Sequence, residues 1–296
     1  MKKFLVLFTA LFLLIPFSAF SAEQEADKER EDFLSQFDWV TGPGKAKIGN
    51  YAEINVPQGF RFTGKDGSYK ILEASGNFPS GDELGLMIND KEDWWVLFEF
   101  SDIGYVKDDD KEELDADDML KKMTKGNEAA NDERERMGIP ALHVTGWHTP
   151  PHYDETSNNL EWGILYESAG ETGINYNTRL LGRHGVMEVT LICDDAQMAG
   201  AMPEFRGLLG DYSYVSGEKY AEYQEGDKVA KYGLAALVLG GAAVGAAKLG
   251  LFAWLALMLK KAGKAIVLVI VAIGAFFKKV FTSIFGRRER EEVDTY

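Results

Sequence analysis

Cysteine is nearly missing: Cys193 is the only one in 296 residues, so no internal disulfide can form. Positive charge is scarce through most of the chain. From Ala22 to Asp227 there are 19 Lys/Arg against 43 Asp/Glu, a net −24. A surface of that sign excludes nucleic acid and direct docking on anionic lipid, both of which demand basic groups. Internal repeats and low-complexity tracts are absent. So are G-x-S-x-G, the phosphate-binding P-loop, H-E-x-x-H and the dinucleotide fingerprint; GPGKAKIG (42–49) is only superficially a glycine loop and precedes no helix.

The two ends carry what the middle lacks, long apolar runs. MKKFLVLFTALFLLIPFSAFSA has the three parts of a secretory signal. Lys2 and Lys3 form the basic start, Phe4–Phe17 the apolar run, and Ala19-Phe20-Ser21 the small-x-small site, which marks 1–21 as a signal peptide. At the other end, 233–259 is long enough to cross a bilayer of about 30 Å, with Lys248 as its one charge. A shorter run from Ala265 predicts a second transmembrane or interfacial helix over 265–285, and 286–296 is a charged tail. From Lys228 onward there are 11 Lys/Arg against 4 Asp/Glu, mostly after the first run, where a cytoplasmic face carries them. These features predict a protein of the bacterial inner membrane with its acidic domain in the periplasm. Gly241 and Gly245 form a small-xxx-small pair that lets two such helices pack closely, which predicts self-association.

Between the ends, 22–215 is long enough for one domain with its own core, and 216–232 reads as a juxtamembrane linker. Period-two alternation predicts strands at Leu84–Asn89, Trp94–Phe100, Leu160–Glu167, Ile174–Leu180 and Met187–Cys193, with tight polar turns between the last three. Asp115 caps a predicted surface helix of about 20 residues whose apolar stripe is Met119, Met123, Ala130 and Met137. Asp194 or Asp195 caps another that runs toward Leu209. The fold class is α+β: an antiparallel sheet with surface helices on part of one face, followed by the transmembrane helix or helices.

Three of the four histidines lie within ten residues of one another, around GWHTPPHYD. The Pro150-Pro151 pair predicts a stiff bend after His148, and His148 and His152 are metal-ligand candidates if that bend folds back toward Asp154 and Glu161. The acidic run 108–118 fails the calcium-loop template, because Glu113 and Met119 stand where glycine and glutamate are needed. Cys193 and His184 are eight or nine residues apart along a strand, and Cys193 shares the apolar face of Val189 and Leu191, which suits a buried thiol. A polar cluster remains. Asn175, Asn177 and Arg179 alternate against Ile174, Tyr176 and Thr178, while Glu161 alternates against Trp162. Together they predict a recognition surface on an open sheet face.

The blocks DWVTGPGKAKIG, PSGDELGLMI, DWWVLFEFSDIGYVKDDD, GWHTPPHYD, NYNTRLLGRHGVMEV and KYAEYQEGDKVAKYGLAAL follow one another in order. Taken together, they resemble a bacterial family of predicted membrane-anchored proteins with a domain of unknown function. The resemblance implies a signal or anchor, an envelope-side domain and C-terminal membrane helices, and it supplies no catalytic residue to carry over. The expected role is therefore a non-enzymatic protein-interaction or assembly module without a cofactor, working with a homo-oligomer or an envelope protein partner. The alternative is an envelope hydrolase or metal-dependent enzyme that uses the Pro150-Pro151 corner and the Asn/Arg sheet face.

Overall fold

The computed structural model describes residues 31–240, apart from 76, 78, 92, 93 and 137–139. The expected signal peptide, Gly241, Gly245, most of the 233–259 run and the 265–285 run lie outside the described residues. Among the described residues no helix is long and apolar enough to cross a membrane.

Among the described residues, eleven strands and four α-helices of five residues or more follow in order: β1 (Trp39–Thr41), β2 (Gly44–Ile48), β3 (Ala52–Val56), β4 (Phe60–Gly64), α1 (Lys65–Ala74), β5 (Glu83–Asn89), β6 (Trp95–Ser101), α2 (Ala116–Arg136), β7 (Leu142–Asp154), β8 (Asn159–Ser168), β9 (Glu171–Leu181), β10 (Val186–Cys193), α3 (Asp195–Gly210), β11 (Tyr212–Tyr214) and α4 (Leu234–Val238). Eight strands form one antiparallel sheet in the order β1-β4-β5-β6-β10-β9-β8-β7, and β11-β3-β2 form a second.

The predicted alternation is present in the central strands, but the sheet is covered on both faces. Val96, Phe98, Met187, Val189, Ile174 and Tyr176 pack one face against α3 and the small sheet, through Phe205, Leu208, Ile54 and Val56. The opposite face holds two separate apolar clusters. One joins Ile71 and Leu72 of α1 to Leu86, Trp95, Leu97 and Ile192. The other joins Met119 and Met123 of α2 to Leu160, Trp162, Ile164 and Tyr166. Expecting helices on one face alone was therefore too simple. Alternation marks which residues share a face without saying what covers it.

Helix α2 is tied to the edge strand β7 by side chains that imitate backbone. Asn131 accepts the Leu142 N–H through Oδ1 (2.9 Å) and donates through Nδ2 to the Leu142 carbonyl (2.8 Å). Asn127 donates to the same carbonyl. This satisfies backbone groups that an edge strand would otherwise leave open.

The predicted bend at Pro150-Pro151 does not fold β7 back. The strand runs from Leu142 to Asp154 with three register irregularities against β8, and the last of them, between Thr149 and His152, holds the prolines. An edge position tolerates prolines, because an N–H that faces away from the sheet is not needed for the ladder.

The segment 216–232, expected to be a linker, is packed on the domain. Asp227 receives two hydrogen bonds from Arg183 (2.7 and 2.9 Å), and Glu218 lies 2.9 Å from His184. The Ala230 N–H donates to the Tyr105 carbonyl, and the Tyr105 N–H to that of Lys228, both at 2.8 Å. Tyr105 stacks on Tyr220 at 4.5 Å. Helix α4, the opening of the expected span, buries Leu234, Leu237 and Val238 in the α2 cluster. Its first N–H groups, of Leu234 and Ala235, donate to the Asp110 carboxylate. Gly233 makes this cap feasible, since a Cβ there would stand 2.4 Å from Asp110 Oδ2. Hydropathy marks this stretch as apolar but does not distinguish a domain groove from lipid.

Candidate functional site

Register divides the four residues expected to form one recognition surface. Glu161 pairs with Thr178 and Trp162 with Asn177. Directly paired residues point to the same side of a sheet. Glu161 therefore joins Tyr176 on the α3 face, while Asn175, Asn177 and Arg179 lie with Trp162 on the α1/α2 face. Nor is that face open at these positions: Asn175, Asn177 and Arg179 are 1%, 8% and 9% exposed. Two polar sites result, one on each face.

The first site is built around Glu161, which is buried. Its Oε2 accepts the Tyr176 hydroxyl (2.8 Å) and its Oε1 an Arg206 guanidinium N–H (2.6 Å); Arg206 also donates to the Tyr176 oxygen (2.9 Å). This pairing holds the Arg206 guanidinium above its usual range, while burial and the bond to Glu161 push the Tyr176 phenol up. His152 Nε2 lies 3.7 Å from Glu161 Oε2. His148 rests beside Gly163, where a Cβ would meet both His148 Nδ1 (3.2 Å) and Tyr176 Cδ2 (3.1 Å).

So β7 brings both predicted histidines to the same face as Glu161, although its corner does not turn back. Asp154 stays apart, accepting from Thr156 and Ser157 in its own turn. Among the described residues no three His, Cys, Asp or Glu side chains are grouped so as to hold a metal ion. The geometry offers a half-exposed cationic rim of Arg206 over a carboxylate already committed to two donors.

The second site was not foreseen. Arg179, Glu188, Glu99 and Glu83 stand directly opposite one another on β9, β10, β6 and β5, forming one row across four strands. One cation thus faces three carboxylates, an arrangement that is destabilising unless hydrogen bonds or protons relieve it. Arg179 pairs with Glu188 at 2.7 Å and stacks over Trp162 at 4.8 Å. Glu188 also accepts the Ser101 hydroxyl. Glu83 accepts two backbone N–H groups, of Ser80 and Gly81, and the Ser80 hydroxyl.

Glu99 is left with only a share in one donor, the Ser80 hydroxyl at 3.2 Å, whose single proton also faces Glu83 at 2.9 Å. Burial, with Glu188 and Glu83 beside it, raises its carboxyl to about 8. Only the odd-numbered alternation of β9 hinted at this row, because nothing in one strand's sequence identifies its partners' register.

The remaining candidates have structural roles. The Cys193 thiol is buried, and burial with Asp194 and Asp195 nearby pushes it up to about 12, so it is no nucleophile. His184 is engaged by Glu218. In the acidic run, Asp115 caps α2 through the Asp118 N–H (3.0 Å), and Asp110 caps α4.

The family described as a protein of unknown function (DUF2167) matches residues 40–274. The chain belongs to this family. The match takes in both polar sites of this DUF2167 chain and every strand of both sheets, apart from Trp39 at the start of β1. No curated protein is similar to it at a significant level. Among solved structures, cyanobacterial PsbP (CyanoP) from Synechocystis sp. PCC 6803 is similar at 11% identity, covering 60% of this chain and 92% of that one, with a TM-score of 0.35. The Saccharomyces cerevisiae Ran-binding protein Mog1p is similar at 8% identity, covering 64% of this chain and 98% of that one, with a TM-score of 0.30. Likenesses of this size transfer no function to the DUF2167 chain.

Proposed function

We propose that this chain is a membrane-tethered binding module: an acidic α+β domain exported to the periplasm, held by its C-terminal apolar run in a bacterial inner membrane, and acting on a protein partner or a second copy rather than on a chemical bond. The observation that carries the tether is the packing of residues 216–238 on the domain. With Leu234, Leu237 and Val238 buried in the body, Leu239–Leu259 remains, 21 residues. About 20 are needed to cross a bilayer. Docking on the domain and crossing the membrane are therefore compatible in one chain. The charge pattern agrees, with Lys260, Lys261 and Lys264 following this run, where the positive-inside rule puts them.

The binding role rests on the chemistry of Glu161 and Cys193. Glu161 has its oxygens occupied by Tyr176 and Arg206, and the Cys193 thiol is buried, so neither presents a free base or nucleophile. Crosslinking in intact cells tests this reading. The full chain is expected to be trapped with itself or with one envelope protein. Replacing both Gly241 and Gly245 by leucine is expected to reduce the self-crosslinked band several-fold by keeping the helices apart. Recovery of the monomer alone under all conditions would contradict the proposal.

A further inference from the structure

Three large apolar side chains are exposed among the described residues: Tyr69 at 39%, and Tyr223 and Val229 at 38% each. Scattered singly, such residues are ordinary on any protein surface. Tyr223 and Val229 are not scattered. The Tyr105 backbone donates to the Lys228 carbonyl and accepts from the Ala230 N–H, which sets Val229 directly opposite Tyr105 in a parallel bridge. Side chains paired in this way leave the backbone on the same side. The Tyr105 ring in turn stacks on Tyr220 at 4.5 Å and lies against Tyr223 at 4.2 Å. Three rings and Val229 thus form one patch, and Tyr223 is the most exposed of the rings.

The patch adjoins the place where the chain leaves the domain. Tyr220 packs on the same apolar cluster as Leu234, Leu237 and Val238 of α4. Val229 is ten residues before Leu239, and α4 takes up the second half of that stretch. Four extended steps and six helical ones bound the separation of Val229 and Leu239 at about 23 Å. Because α4 is docked, no free linker separates the domain from the apolar run that follows. Entry of that run into a bilayer would hold this face of the domain against the headgroup layer.

Tyrosine suits that layer. Its ring is apolar and its hydroxyl wet, and tyrosines concentrate at both interfaces of membrane proteins. Exposed Lys231 adds a stem that can lie along the same layer with its ammonium among headgroup oxygens. Long-range attraction to anionic lipid is not the cause, since Ala22–Asp227 is net −24 and Asp102 and Glu225 are exposed nearby. We infer that the Tyr105–Tyr220–Tyr223 stack and Val229 form a membrane-contact surface, seated in the headgroup–acyl boundary of a zwitterionic leaflet. The inference rests on the tethered reading above and adds to it which face of the domain the bilayer covers.

The test uses the full chain in phosphatidylcholine nanodiscs, one copy per disc. Cys193 is buried, so a thiol-reactive fluorophore can be placed at Val229→Cys or, for comparison, at Tyr69→Cys on α1. Lipid spin-labelled next to its headgroup is expected to quench the first label roughly threefold more than the second. Tyr223→Ser removes an exposed ring, with a thermal melt to verify the fold, and is expected to reduce quenching at position 229 about twofold. Equal quenching at the two positions in discs that retain the chain, or no effect of Tyr223→Ser, would overturn this assignment alone. Shielding of the 229 label only with two copies per disc would make the patch a contact between copies and overturn it as well. Loss of the chain from the discs would overturn the tether, and this inference with it.

Discussion

Glu99 shows how much one residue's neighbours decide. Its carboxyl is raised from 4.5 to about 8 because burial and two glutamates disfavour the anion. A carboxyl raised on folding makes the folded state bind the proton more tightly than the unfolded one. Its penalty is therefore absent below about pH 4, grows as pH rises, and is complete above about pH 8. Glu99→Gln is expected to match the parent protein in urea melts at pH 4 and to exceed it by on the order of 1–3 kcal/mol at pH 8. A parent and variant that stay equal across this range would show that Glu99 ionises freely. Asp227 shifts the other way, lowered to about 2 chiefly by the Arg183 hydrogen bond. Its contribution is present above about pH 4 and lost as pH falls toward 2, so the 216–232 segment is expected to loosen in acid, read by the near-ultraviolet dichroism of the Tyr105–Tyr220 stack.

Elements were more legible than their surroundings. Alternation predicted β5, β6, β8 and β10 within a residue or two and β9 within three, and the Asp115 and Asp194 caps marked the starts of α2 and α3, because these signals are local. Register is not local. Glu161 and Arg179 were expected on one face and stand on opposite ones, since their strands pair Glu161 with Thr178. The Asn131 clasp was invisible for the same reason: a mid-helix asparagine gives no sign that it will replace a strand's neighbour. Asn131→Ala leaves the Leu142 N–H open and its carbonyl with Asn127 alone, and is expected to cost about 1–3 kcal/mol, with faster hydrogen exchange at Leu142–Val144. Gly233→Ala would force a methyl against Asp110 and undo the α4 cap. The expected result is release of Leu234 and Leu237, seen as stronger binding of a hydrophobic dye.

At the scale of the whole molecule, the chain couples a covered eight-stranded sheet to an apolar run whose first turn is buried in the domain itself. The strongly acidic body and the basic stretch after that run fit a domain left on one side of a bilayer and a tail on the other. The chain lends itself to a direct measurement of this arrangement, because Cys193 is buried and its one thiol is silent. Lys125→Cys on the exposed side of α2 and Thr295→Cys in the tail can each be exposed, in intact spheroplasts, to a maleimide that does not cross membranes. With one crossing, the first is labelled at once and the second only after the membrane is opened; two crossings would label both. Labelling of Lys125→Cys only after the membrane is opened would contradict the account.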